Sequence, residues 1–446
     1  MADRIHPAQT MRLTKSREAG GIARDLIPGG VNSNFRKDTT FQPIFFKSGR
    51  GARLTDIDDN EYVDYALSYG PAILGHDNAH FRRALHDQID VLVSPETSIL
   101  EQRAAALIIK HVPCAEQVRF NSTGSEANYN ALRIARAHTG RACVVRFSGH
   151  YHGGTDELLG GIVAKPFSYR AGIGEFADDL YSCATNTAGR APQALENVLL
   201  LEWNSVEMLE EAFAFHGDEI AAVLLEPIML NNGGITARAD FLAALRLLCD
   251  RHGAVLIFDE VVTGFRCGLG GAQAMLGVTP DMTTLAKALG NGMPVSAICG
   301  RRELMKTVAR SDTVIGGTYN GHPLCMAAII ATIEELERDD GAAFGRIERH
   351  GVRFRTGLLE IADRVGLPLR VMGIPGAWIL HFNGGPEPLS HEDLRGFSGV
   401  RAARFAGEMR RRGVLSTVRL CTGAAHAEED VDEALNRAED AMRAVL

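Results

Sequence analysis

Ala254-Val255-Leu256-Ile257-Phe258-Asp259-Glu260-Val261 is a short apolar run that ends in two adjacent carboxylates. Asp259 is followed 28 residues later by Lys287, a lone lysine placed after the run Thr283-Thr284-Leu285-Ala286 and before Gly290-Asn291-Gly292. Both runs are nearly continuous rather than alternating, the pattern of strands covered on both faces. The pattern recurs at Val118–Phe120, Cys143–Phe147, Val198–Leu201, Ala221–Leu225 and Ser296–Cys299, with helical stretches such as Glu126–His138 and Phe241–His252 in between. Strands alternating with helices predict an α/β domain on a mostly parallel sheet. Ligands of such sheets gather beyond the carboxyl ends of the strands, so Asp259, Lys287 and the residues that close the other runs are the candidates for chemistry.

The rest of the chain frames this domain. Pro28-Gly29-Gly30 stops a short N-terminal helix, Asn32-Ser33-Asn34 is turn chemistry, and Ala52–Ile57 and Glu61–Ala66 flank Asp58-Asp59-Asn60 as a hairpin. After Pro323 a long helix, Leu324–Arg338, leads into helices and a few strands such as Ala377–His381. The expected division is an N-terminal arm and hairpin (1–66) packing with a small C-terminal α+β domain (324–446), around a large α/β domain (67–323). The length of 446 residues suits this at roughly 150 residues per unit.

Composition excludes several classes. With 47 Lys+Arg against 55 Asp+Glu the net charge is -8, which argues against a nucleic-acid or anionic-membrane binder. No apolar run nears the roughly 20 residues of a membrane span, and the charged first residues lack the apolar core of a signal peptide. The 8 cysteines, Cys183 among them, form no C-x-x-C pair and read as small buried hydrophobes in a reducing compartment. A cytoplasmic location is expected.

Four motifs at strand ends carry the chemistry. Ser122-Thr123-Gly124-Ser125-Glu126 opens a helix with free N–H groups and hydroxyls that suit a phosphate; it also reads as an ordinary N-cap. Asp259-Glu260 would hold either a metal or a protonated ring nitrogen, since a buried charge must be paired. Lys287 in a dry pocket would lose its proton readily and attack carbonyls, whereas an average lysine snorkels to solvent. In Gly149-His150-Tyr151-His152-Gly153-Gly154 an aromatic is placed to stack on a flat ligand, and no acidic or sulfur ligand completes a metal set with the two histidines. A second glycine-rich loop, Gly316-Gly317-Thr318-Tyr319-Asn320-Gly321-His322, also has phosphate-binding potential. Gly268-Leu269-Gly270-Gly271 follows no strand of a βαβ unit and is not a dinucleotide fingerprint. A phosphate cradle, a stacking aromatic, a strand-end acid and a nucleophilic lysine are together what pyridoxal 5'-phosphate requires: the lysine forms a Schiff base and the acid keeps the pyridine nitrogen protonated.

On these motifs the chain, from about Pro28 to its end, resembles the class III aminotransferases of the fold-type I pyridoxal-phosphate enzymes. The nearest branch is that of glutamate-1-semialdehyde 2,1-aminomutase. Pro28-Gly29-Gly30-Val31-Asn32-Ser33, the stretch Arg119 to Ala127, Tyr151-His152-Gly153, Glu226-Pro227, Asp259-Glu260-Val261 and Lys287 match in order. The resemblance implies a fold-type I transferase fold with Lys287 as the Schiff-base lysine and proton carrier. Asp259 would pair with the pyridine nitrogen, Val261 would pack behind the ring and Tyr151 on its front, with His152 beside it among the cofactor positions. Thr123, Gly124 and Ser125 would hold the phosphate, and Asn231 would lie near the ring hydroxyl. Thr318 would reach the phosphate of a neighbouring subunit, making the active unit a homodimer. Ser33 and Arg36 match positions that bind a substrate carboxylate, a role that suits the bidentate guanidinium.

The chain departs from that branch where substrate is read. A Phe-Glu-Ala-Gly-Phe stretch is usual before the C-terminal Ala-His, and here Arg419-Leu420-Cys421-Thr422-Gly423 precedes Ala424-Ala425-His426. Thr123-Gly124-Ser125 replaces Ser-Gly-Thr, and Ile228-Met229-Leu230-Asn231-Asn232 replaces a small-residue run. The expected activity is a ping-pong aminotransferase that passes an amino group from a small-molecule donor to an aldehyde or ketone such as an amino acid semialdehyde, a keto acid or an amino-sugar carbonyl. The alternatives are the intramolecular aminomutase reaction and epimerisation.

Overall fold

The computed structural model describes residues 11–37, 43–159, 188–395, 397 and 399–446. All seven apolar runs are strands of one sheet: β1 (Gln117–Asn121), β2 (Cys143–Phe147), β3 (Val198–Leu201), β4 (Ile220–Leu225), β5 (Val255–Glu260), β6 (Met282–Leu285) and β7 (Ser296–Gly300). Their spatial order is β1-β7-β6-β5-β4-β2-β3. Every pair is parallel except those made by β7, which runs antiparallel to β6 and β1.

Successive residues of one strand enter different cores, which is why the runs do not alternate. Val145, Phe147, Val223, Leu225, Leu256 and Phe258 pack with Phe213 and Phe241 of the helices Val206–His216 and Ala239–His252. Val144, Ala222, Leu224, Val255 and Ile257 pack on the other face against Ala131, Leu132 and Ala135 of the helix Gly124–Thr139. Apolar layers on both faces leave the strand ends as the place where polar side chains meet solvent or a ligand.

Ahead of the sheet, Thr14–Leu26 form a helix, and Arg53–Asp56 and Glu61–Asp64 form the hairpin. Asp56 Oδ1 fixes its turn by accepting from the N–H groups of Asp58 (2.9 Å) and Asn60 (2.8 Å). Two strands without a periodic signal join it: Phe46–Arg50, a polar edge strand, and Val414–Leu415, two residues paired in parallel with Val63 and Asp64. The long helix Pro323–Val365 leaves helical dihedrals at Arg338–Gly341, and the predicted helix ends at this break. Beyond it Arg370–Ile374, Ala377–His381 and Arg419–Cys421 form an antiparallel sheet, packed with the helices Gly399–Arg411 and Glu428–Arg443. No helix among the described residues is long and apolar enough to cross a membrane. Six of the seven described cysteines are buried; Cys183 lies outside the described residues.

The two strand-end carboxylates divide their labour. Fully buried Glu260 accepts from the N–H groups of Ala272 (2.5 Å) and Gln273 (3.3 Å), from Gln273 Nε2 (2.9 Å) and from Thr263 Oγ1 (2.9 Å). It caps the short helix Gly271–Leu276, and a Cβ at Gly271 would come 2.3 Å from its Oε2. Glu260 is therefore structural, which leaves Asp259 for the ligand, and among the described residues no His/Cys/Asp/Glu cluster could hold a metal. Glu260→Ala strands buried donors and is expected to cost about 3 kcal/mol, lowering the thermal midpoint by about 5 °C while leaving cofactor absorbance unchanged, as differential scanning calorimetry and a spectrum will show.

Candidate active site

A cavity of about 290 Å³ opens at the carboxyl ends of the central strands. Asp259, last but one in β5 and 4% exposed, lies on its floor. Three donors hold its carboxylate. Asn128 Nδ2 donates to Oδ2 at 2.7 Å, His152 Nδ1 is 2.7 Å from the same oxygen, and Val261 N–H donates to Oδ1 at 3.0 Å. Burial pushes the pKa of His152 down in spite of the carboxylate beside it, so the ring is neutral and its Nδ1–H is the donor. Asn128 is locked in turn: Thr284 Oγ1 donates to its Oδ1 at 2.6 Å, and its Nδ2 also reaches His152 O at 2.9 Å.

Lys287 faces the same cavity with a left-handed backbone, φ +44°. Burial, then the positive charge of Arg419, pushes its amine down to about 8 from 10.5; Asp259 and Glu226 oppose the shift. With that pKa about a tenth of the amine is uncharged and nucleophilic at pH 7, against well under a thousandth for an ordinary lysine.

Glu226 follows β4, beside β5 in the sheet, and is 2% exposed. Its Oε1 accepts from Tyr151 N–H at 2.8 Å, and its Oε2 accepts from Asn231 N–H at 3.3 Å and from Asn231 Nδ2 at 3.0 Å. Burial first, and the charge of Asp259 next, lift its pKa to about 7. Asn231 bridges onward by accepting from Arg419 Nη1 at 3.1 Å.

At the opposite end Thr123 caps the helix Gly124–Thr139 by accepting from Glu126 N–H at 3.2 Å, while Glu126 accepts from Ser122 N–H at 2.9 Å. The N-cap reading of this motif is seen directly, and Ser122, Thr123, Gly124 and Ser125 line the cavity as well. Gly154 N–H donates to Ser125 Oγ at 3.1 Å. Gly153, at φ +119°, passes so close that a Cβ there would come 2.4 Å from the same oxygen. Only a residue without a Cβ allows this close approach.

The structure thus gathers Thr123, Gly124, Ser125, Tyr151 and His152 with Asn231, Asp259, Val261 and Lys287 around one cavity. Ser33, Arg36 and Thr318 are not among the residues that line it. Arg36 and Thr318 are exposed, and the arm carrying Arg36 approaches through Phe35, whose ring meets Tyr151 edge-on at 5.5 Å. None of Gly316–His322 lines the cavity of its own chain. Sequence reasoning gave no role to Asn128, Glu226 or Thr284. Asn128 lies one helical turn beyond Gly124 on the same face, and Glu226 ends an apolar strand as Asp259 does, so both signals were available.

Comparison with known proteins places these motifs. The family model described as aminotransferase class-III matches residues 35–442. The glutamate-1-semialdehyde 2,1-aminomutase of Natranaerobius thermophilus is 35% identical over 440 residues, spanning 97% of this chain and 99% of that protein. Among solved structures, a transaminase with PLP bound superposes with a TM-score of 0.86 at 27% identity, covering 98% of this chain and 99% of that one. An omega-transaminase from Sphaerobacter thermophilus does so with a TM-score of 0.84 at 30% identity, covering 96% of this chain and 97% of that one.

The lowered amine predicts a pH profile. In cofactor-free protein, acylation of Lys287 by acetic anhydride, followed by mass spectrometry, is expected to rise with a midpoint near pH 8, because only the neutral amine reacts. Removing the opposing cation with Arg419→Met is expected to move the midpoint upward.

Proposed function

We propose, because this chain belongs to the class III aminotransferase family, that it moves an amino group from a donor amine to a separate aldehyde or ketone acceptor with pyridoxal phosphate as its cofactor. The residues present fit that group. The open cradle at Gly124 and Gly153 with the Ser125 hydroxyl suits its phosphate, Tyr151 and Val261 offer the walls for a flat ring, and Asp259 offers an acid for the ring nitrogen. When bound, pyridoxal phosphate supplies a ring that takes up the electron pair left at a substrate carbon when its proton departs.

The chain's own residues then have defined tasks. Asp259, fixed by Asn128, His152 and Val261, holds a proton at the ring nitrogen. Lys287 Nζ takes and returns the proton at the reacting carbon, for which a pKa of about 8 is well matched near neutral pH. Glu226 orients Tyr151 and Asn231. Arg36, next to the Phe35 whose ring meets Tyr151, reads a substrate carboxylate. Thr318 comes from a second copy of the chain; the exposed apolar residues beside it, Val314 and Tyr319 at 69% and 65%, support a paired surface.

The observation that carries intermolecular transfer is Arg419. It occupies the stretch where the aminomutase-like branch usually carries an acidic residue, and it bonds Asn231 beside the cavity. A second reading, intramolecular transfer, is favoured by the identity with the aminomutase of Natranaerobius thermophilus over nearly the whole chain. A panel of donors and acceptors decides. With intermolecular transfer, an amine donor alone changes the absorbance of the loaded protein, an acceptor restores it, and initial rates give parallel double-reciprocal lines. Formation of the isomeric amino compound from a vicinal amino aldehyde, with no external donor, would establish the second reading instead. Lys287→Ala is expected to lower turnover at least about 1000-fold in either case.

A further inference from the structure

Leu67, Ser68 and Tyr69 have positive φ in succession, +43°, +56° and +69°. Left-handed backbone is unfavourable for residues with a Cβ, and a run of such residues persists only where its surroundings over-determine it. Here they do. Asp64 Oδ1 accepts from the N–H groups of Ala66 and Leu67 at 2.9 Å each, and Leu67 is fully buried. Two buried guanidiniums grip the carbonyls at the end of the turn: Arg419 Nη2 donates to Tyr69 O at 3.0 Å, and Arg266 Nη2 donates to Gly70 O. Arg419 is also fixed through Leu230 O (2.8 Å) and Asn231 Oδ1 (3.1 Å), and Arg266 through Gly376 O (2.9 Å).

The product of this clamp is the placement of one side chain. The Tyr69 hydroxyl donates to the carbonyl of Phe35, the residue before Arg36, in the turn Asn34–Arg36. Phe35 in turn meets Tyr151 edge-on, and Pro71, two residues after Tyr69, lines the cavity. A strained turn anchored beside the site thus reaches out and ties down the N-terminal arm at the cavity mouth.

We propose that Tyr69 is a positioning residue for substrate recognition. Held by Arg266 and Arg419, it fixes the Asn34–Arg36 turn so that Arg36 meets the carboxylate of an incoming amino or keto acid. This rests on the reading of Arg36 given above, and the test separates the two.

Steady-state kinetics of the holoenzyme are compared for the wild type, Tyr69→Phe, Arg36→Ala and the double variant, with a carboxylate-bearing donor and with an aryl-alkyl amine that has no carboxylate. Tyr69→Phe keeps the ring and removes only the hydroxyl. It is expected to raise KM for the carboxylate-bearing donor about five- to tenfold, the effect of one hydrogen bond. Neither kcat, nor KM for the plain amine, nor the cofactor spectrum is expected to change. In the Arg36→Ala background the same change is expected to add nothing. An unchanged KM in Tyr69→Phe overturns the proposal, as does an increase that persists in full without Arg36 or a fall in kcat common to both donors. Arg36→Ala alone reports on the underlying reading: if it leaves KM for the carboxylate-bearing donor unchanged, that reading fails, and Tyr69 does not act through Arg36.

Discussion

The site depends on one buried carboxylate held in place by neutral donors. Asp259 accepts from an asparagine, a histidine and a backbone N–H, none of which carries a charge that would neutralise it. A salt bridge there would leave little field for a ligand; three dipoles stabilise the carboxylate and leave its charge available to a cation above it. Each holder comes from a different element. Asn128 is on the helix after β1, His152 follows β2, and Val261 is just past the end of β5. One interaction therefore requires that these elements converge, and the sheet order, with β5 central between β6 and β4 and β2 next beyond β4, brings that convergence about.

Glu226 shows how the same arrangement handles a second acid. It is next to Asp259 because β4 is next to β5, and the crowding of two acids in a dry place lifts its pKa to about 7. Its carboxylate accepts from N–H donors of Tyr151 and of Asn231, and through them it orders two loops at once. Glu260, on the opposite side of the strand from Asp259, caps a helix instead. Three carboxylates at two adjacent strand ends thus face the cavity, order loops and start a helix, and the face each side chain occupies decides which.

The lining of the cavity was largely legible in the sequence because its residues sit at or just after the ends of strands that announce themselves by apolar runs. All seven runs became strands of the central sheet, and Ser122–Ser125, Tyr151, Asp259 and Lys287 close four of them. What was not legible depends on contacts between distant segments. Arg419 meets Tyr69 across 350 positions and Asn231 across 188, and no local pattern encodes such a partner. Strands of two or three residues, such as Val414–Leu415 and Arg419–Cys421, carry too few side chains to show a period. The pairing of Asp259 with Glu260 was ambiguous for the opposite reason: adjacent identical charges in sequence point to opposite faces of a strand, and only the packing of Gly271 and Gln273 against Glu260 distinguishes them.

The charges around the cavity suggest why the substrate end is built at long range. Lys287, Arg266 and Arg419 stand near two acids, Asp259 and Glu226, and one of those acids is protonated in part near neutral pH. Both arginines are nearly buried, at 3% and 7% exposure, and their hydrogen bonds go to carbonyl and amide oxygens rather than to carboxylates. Carbonyl dipoles satisfy guanidinium donors without cancelling their charge, so a positive field persists where burial makes it strong. Burial first, and that field next, depress the lysine pKa, and the field favours anionic groups that enter the cavity. The same guanidiniums hold the left-handed turn that carries Tyr69, so the residues that set the electrostatics of the lysine also set the shape of the cavity mouth. Lys287 and the arm that meets Tyr151 are thereby linked through the same two guanidiniums.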